Sequence, residues 1–319
     1  MQHIAQLLLA LEAGVAIHFG SLSMVPLRAA RGEPELGYLT LAEALQTQRS
    51  RVTEVSAGGS VPELAFENLS ADADVLLLDG EELVGAKQNR VLNLTLLVGP
   101  GKRIVIPVSC VEQGRWRHES AEFAASGNAL FAGARAAKMA QVSESLRREG
   151  SRRADQGDVW ARVAEKAEAL DVRSSTGAMS EVFAARERER GAYERAFEAQ
   201  PGQVGAVFVV HGAEPIVGLE LFDSASTFAR CLPKILGSFV LEAIDRPSAG
   251  PAERCAAVAR QGAVELIEGL AACTPERFAA LGEGEDLRYT VSGLSGAGLY
   301  ARGRLVHLSA FRTSVASNS

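Results

Sequence analysis

The stretch from Leu78 to Asn93, LDGEELVGAKQNRVLN, constrains this chain more than any other. An apolar run at 75–78 enters an acidic turn, crosses glycines, and emerges with Lys87, Gln88, Asn89 and Arg90 before the next apolar run at 92–98. Polar groups of both signs set between two apolar strands are costly to bury unless they pair with one another or with a ligand. The fold must therefore bring partners to these groups or leave a place where a ligand supplies them.

A second polar cluster, Ser109 to Trp116, follows the run at 104–108. Period-two alternation puts Ser109, Val111 and Gln113 on one face and Cys110, Glu112 and Gly114 on the other. If the strands around Arg90 and Ile104 pair across Gly99-Pro100-Gly101, the two clusters meet at one end and form a single candidate site. Within it, Lys87, Arg90 and Arg115 suit phosphate or carboxylate, guanidinium offering a bidentate fork. Gln88, Asn89, Asn93 and Gln113 suit a base, sugar or amide through paired donors and acceptors. Trp116 suits a planar ring. Glu81, Glu82 and Glu112 are the candidate general bases, with Glu81 and Glu112 preferred, provided burial raises them towards neutrality. Cys110, with cations nearby in sequence, is a candidate nucleophile. Asp79, Glu81 and Glu82 offer an all-oxygen Mg²⁺ site. All of these side chains serve equally well as a self-satisfied ion-pair network that only holds a sheet together.

The remaining pattern predicts an α+β protein. Residues 1–120 open with a short helix and then show many short apolar runs, at 15–19, 52–55, 63–68, 75–78, 92–98 and 104–108, separated by glycine turns. They read as an antiparallel, β-rich sandwich or barrel-like part with one helix at 42–48. Residues 121–202 are rich in Ala, Glu and Arg and read as helices at 129–148, 158–170 and 179–197. The alternating charges at 186–190 read as a solvated helix face. Residues 203–319 are mixed: a hairpin flanks a turn at His211, two helices follow, and strands near 287–292, 297–301 and 304–309 close the chain. His211 is expected to be exposed in its turn. His18 and the closing-strand pair His307 and Ser309 are expected to be structural. Pro233 predicts a kink or a second start in the helix that Asp223 or Ser224 caps. The third part can pack on the first as one continuous domain.

Composition narrows the classes. A net charge of −6 argues against broad nucleic-acid binding. No apolar run reaches the roughly 18–20 residues of a membrane span, and the opening Leu7-to-Leu11 run lacks a basic leader. The four cysteines show no CxxC pairing, which fits reduced thiols and a cytoplasmic location. Spacing excludes a Walker loop at Gly99–Lys102 and a dinucleotide fingerprint at Gly293–Gly298. The motifs identify no cofactor, and a homo-oligomer is open.

The segments from Asp79 to Arg90 and from Ile106 to Trp116 resemble a bacterial family. It is named for association with ADP-ribosylglycohydrolases and rhodanese-like phosphatases. The likeness extends to GLELFD, ending at Asp223, and to the closing VHLSAF with His307 and Ser309. The resemblance implies ADP-ribose or nucleotide chemistry by genomic company and assigns no catalytic residues. Three uses of the 79–116 region follow. The first is binding, with or without hydrolysis, of an ADP-ribose-like or other phosphorylated nucleotide metabolite. The second is a non-enzymatic scaffold or oligomerisation module, and the third is thiol chemistry at Cys110.

Overall fold

The computed structural model describes residues 2–29, 37–247, 250–291 and 293–312. The architecture is α+β, with sheets that are almost wholly antiparallel. In the largest sheet Leu22–Arg28, Gln203–Val210, Ile216–Phe222, Arg304–Arg312, Leu294–Ala301, Glu285–Val291 and Glu276–Ala279 follow one another. Glu12–Ala13 and Ile17–Phe19 both pair with the outer edge of Leu22–Arg28. Residues from the first and third stretches of the chain thus share one sheet.

Gln203–Val210 is buried along its whole length because both faces are covered. Ala206, Phe208 and Val210 face a core completed by Phe228, Ile235 and Phe239 of the helix Ala225–Ala243 and by Ala132, Ala136 and Met139 of the helix Ala132–Glu149. Val204, Val207 and Val209 face the opposite core, closed by Ala259, Ala263 and Leu266 of Ala252–Ala272 and by Ile4 and Leu8 of Gln2–Leu9. Gly218 is required where the first helix crosses the sheet, since a Cβ there would stand 2.6 Å from the Phe239 ring.

A six-stranded sheet runs in the order Phe123–Ala129, Glu81–Gly85, Arg90–Leu92, Arg103–Cys110, Glu63–Asn68, Ser50–Glu54. A three-stranded sheet sets Asp74–Leu77 between Leu96–Val98 and Tyr38–Thr40, the last pairing in parallel. Both line one apolar interior of Val52, Leu64, Phe66, Val75, Leu77, Leu83, Leu96, Ile106 and Val108. Among the described residues no helix is long and apolar enough to cross a membrane.

Several elements differ from the sequence reading. The run 92–98 is not one strand: Arg90–Leu92 and Leu96–Val98 lie in different sheets. Asn93 and Thr95 make the crossing, each held by polar partners. The helix expected over 179–197 is two, Met179–Ala185 and Glu187–Ala196, separated at Arg186. Ala225–Ala243 runs on through Pro233 under the Ser224 cap. His211 is buried, not exposed. Several strands escaped the periodicity, among them Tyr38–Thr40, Glu81–Gly85 and Glu276–Ala279, and two show why. Leu22–Arg28 carries Pro26, which argues against an interior strand, and Phe123–Ala129 is diluted by Ser126, Gly127 and Asn128 and bulged.

Candidate functional site

Arg103–Cys110 pairs with Arg90–Leu92, Cys110 standing opposite Arg90, so the two polar clusters do meet. At their junction Arg115 grips Glu112 with two nitrogens, Nε to Oε1 at 2.8 Å and Nη2 to Oε2 at 2.6 Å. The remaining Arg115 N–H groups donate to the carbonyls of Ala86, Arg117 and Gly85 and to Asn89 Oδ1. Glu112 also accepts from the Asn89 amide and the Thr176 hydroxyl. Burial alone would push Glu112 up, but these donors outweigh it and hold its carboxyl below the usual range. A carboxylate so engaged is a poor general base, and Arg115 has no N–H to offer a ligand.

The rest of the cluster is less complete. Arg90 is fully buried; Nε donates to the Val61 carbonyl at 3.2 Å and Nη1 to Asn89, while Nη2 has no partner. Lys87 Nζ donates to the carbonyls of Ala57 and Gly58. Both cations therefore hold one exposed loop, 56–61, by its backbone oxygens. Two buried acceptors beside them, Glu54 Oε2 and Gln88 Oε1, also have no donor. Trp116 is 49% exposed and is backed by Lys87 Nζ at 5.1 Å and Arg90 Cζ at 5.8 Å from its ring centre. An open depression of about 550 Å³, bounded by Glu54, Ser56, His118 and Ser120 among others, adjoins the loop.

Other expected site residues have structural partners or stand apart. Asn93 bridges Ser109 and the Arg152 carbonyl, and Gln113 is exposed. Cys110 is buried, and burial pushes its thiol up despite the nearby Arg90 charge, the opposite of what a nucleophile needs. The three carboxylates offered as a Mg²⁺ set do not converge. Asp79 pairs with Lys138, Glu81 pairs with Lys234, and Glu82 accepts from Ser126 and Asn128. Glu81 is thus also committed to a cation. Burial pushes Glu82 up to about 7.

Asp79 leads to a second network that local sequence could not show. Arg135 and Lys138, one turn apart on Ala132–Glu149, point between the sheets. Lys138 donates to Asp79 and to the Leu92 carbonyl. Arg135 lies 3.7 Å from Asp79 and 2.7 Å from Glu220. Gly80, at φ +80°, is needed beneath it, because a Cβ would meet Arg135 Nε at 2.8 Å. Register sets Glu220 opposite Ser309, with His307 two residues before it, and both side chains bond Glu220, at 2.9 and 3.0 Å. Burial would push Glu220 up, yet Arg135 and His307 outweigh it and keep it below its ordinary value. The other ring nitrogen of His307 meets Thr95 Oγ1, which accepts from the Asp79 amide. Three separate segments that carried the family resemblance therefore converge on one buried seam.

The sequence profile of the ARG and Rhodanese-Phosphatase-superfamily-associated Protein domain matches residues 10–311. The chain belongs to this family. The family's name places it in the company of ADP-ribosylglycohydrolases and rhodanese-like phosphatases. No curated protein and no solved structure matches the chain. In this member of the ARG and Rhodanese-Phosphatase-superfamily-associated family, sequence reasoning missed Arg135, Lys138 and Lys234. The only local signal for them was a cation on an otherwise small or apolar helix face.

Proposed function

We propose that this protein binds a phosphorylated nucleotide metabolite of the ADP-ribose class where Lys87, Arg90 and Trp116 meet the 56–61 loop. The observation that carries the reading is Arg90: a wholly buried guanidinium with one N–H group unpartnered. Such a group costs about 1–3 kcal/mol more than a satisfied one. Phosphate oxygens can replace the loop carbonyls of Ala57, Gly58 and Val61 on Lys87 and Arg90 and fill the vacant position as well. Glu54 Oε2 and Gln88 Oε1 supply acceptors for ribose hydroxyls. The exposed part of Trp116 offers a stacking surface for a base. The open depression beside the loop, with Glu54 and Ser56 on its rim, leaves room for the rest of the molecule.

The reading is of a binding site. Glu112 and Glu81, the two carboxylates best placed in sequence for base catalysis, are both spent on cations. Family association agrees with the ligand class without assigning it. A thermal-shift screen against ADP-ribose, its cyclic phosphate, NAD and common nucleotides tests the reading. A ligand at a hundred times its dissociation constant adds about 2.7 kcal/mol to native stability. The expected result is a shift with ADP-ribose that Arg90→Met abolishes while the unliganded melting point stays near wild type. No shift with any nucleotide, together with altered assembly of Glu112→Gln, would favour the scaffold reading instead.

A further inference from the structure

A separate group of ligand-type side chains lies at the far edge of the nine-stranded sheet. His18, His211 and Cys255 each offer one donor atom, and these atoms all lie within 4.8 Å of one another. Sheet register explains the meeting. His18 pairs with Ser23, and Ser23 pairs with Val209 on the other side of the same strand, so the three share a face. His211 follows Val209 by two residues, and its amide is fixed to the Ser21 carbonyl at 2.8 Å. The helix Ala252–Ala272 covers this face, with Ala259 and Ala263 in the core behind Val209. Cys255 sits one turn before Ala259 and reaches the two imidazoles.

We propose that His18, His211 and Cys255 form a binding site for a divalent transition metal, Zn²⁺ being the best match. Two imidazoles and a thiolate are the donor set that borderline-soft ions select over Mg²⁺ or Ca²⁺. Zinc bonds of about 2.0–2.3 Å set tetrahedral ligands roughly 3.5 Å apart, so the side chains close by about 1 Å on loading. The Ser23 hydroxyl already bridges the rings, 2.9 Å from His18 Nδ1 and 2.8 Å from His211 Nε2. It orients both in the manner of an outer-sphere partner or takes the fourth position itself. Arg246 donates to the His211 carbonyl at 3.2 Å and pins that turn. His211 and Cys255 are buried while His18 is only partly so, which leaves an approach from His18's side and a place for water. Binding forms the metal–sulfur and metal–nitrogen bonds and releases the Cys255 thiol proton to solvent.

The test is titration of the chelator-treated, full-length protein with Co²⁺, followed by absorption spectroscopy. One equivalent is expected to produce a thiolate-to-cobalt charge-transfer band with four-coordinate d–d bands, both erased by Zn²⁺. Cys255→Ser loses the charge-transfer band, and Cys273→Ser retains it. His18→Ala, on a partly exposed strand, is expected to keep the fold and lower cobalt affinity at least tenfold, so it carries the test should Cys255→Ser not fold. Absence of a thiolate band in the wild type, or an unchanged band and affinity in His18→Ala, would overturn the site.

Discussion

Two buried arginines, Arg135 and Arg90, show how partners decide the work of a charge. Arg135 sits in the seam between sheets with Asp79 and Glu220 on either side, Lys138 sharing Asp79 and His307 sharing Glu220. Its partners are side chains from three distant segments, and none can leave without parting the layers. Arg90 is as deeply buried, but its acceptors are backbone carbonyls, one of them on the exposed 56–61 loop. Lys87 holds the same loop. In the seam, charge is matched by charge. Under Trp116 it is matched by backbone carbonyls, the partners that the proposed phosphate would replace.

The contrast breaks most visibly in stability. Arg135→Met leaves Asp79 to Lys138 alone and Glu220 to His307 and Ser309, with its guanidinium contact gone, and should cost about 3–5 kcal/mol in denaturant unfolding. Arg90→Met loses bonds to neutral carbonyls and should cost about 1 kcal/mol. Equal losses would erase the distinction.

Glu82 gives the next largest effect, through pH. Its folded value of about 7 lies above the ordinary 4.5, so the native state binds the proton more tightly between those values. Its contribution is full below pH 4.5 and is lost as pH rises through about 7, by about 3 kcal/mol. Unfolding free energy should therefore fall from about pH 5 to about pH 8, and Glu82→Gln should flatten that slope. Parallel slopes for the two proteins would contradict it.

The smallest effect sharpens the ligand side of the comparison. Trp116→Ala should weaken ADP-ribose binding by about 1–3 kcal/mol by calorimetry. Being half exposed, it should leave stability within about 0.5 kcal/mol. A large stability loss with unchanged affinity would make Trp116 a packing residue.

How much was legible follows from the same contrast. The meeting of Arg90 with Cys110 and Glu112 could be read locally, because Gly99-Pro100-Gly101 returns the chain between two apolar runs. Asp79 and Glu81 looked like site residues because their partners Arg135, Lys138 and Lys234 lie on helices that no local period connects to them. Glu220 and His307 are likewise joined only by strand pairing. His211 looked exposed because it begins a turn, but His18, Ser23 and the helix carrying Cys255, all distant in sequence, close over it. Leu22–Arg28 was obscured by Pro26, whose cost as a strand residue the neighbours on both sides override.

The central claim is that ADP-ribose-class phosphates replace the loop carbonyls on Lys87 and Arg90. Hydrogen–deuterium exchange across residues 56–62, with and without ADP-ribose, tests it most directly. The account predicts that ligand changes exchange in this loop in the wild type and leaves it unchanged in Arg90→Met, with seam segments around Glu220 unaffected in both. Saturating ADP-ribose that leaves the loop as it was, or alters it equally in Arg90→Met, would contradict the account.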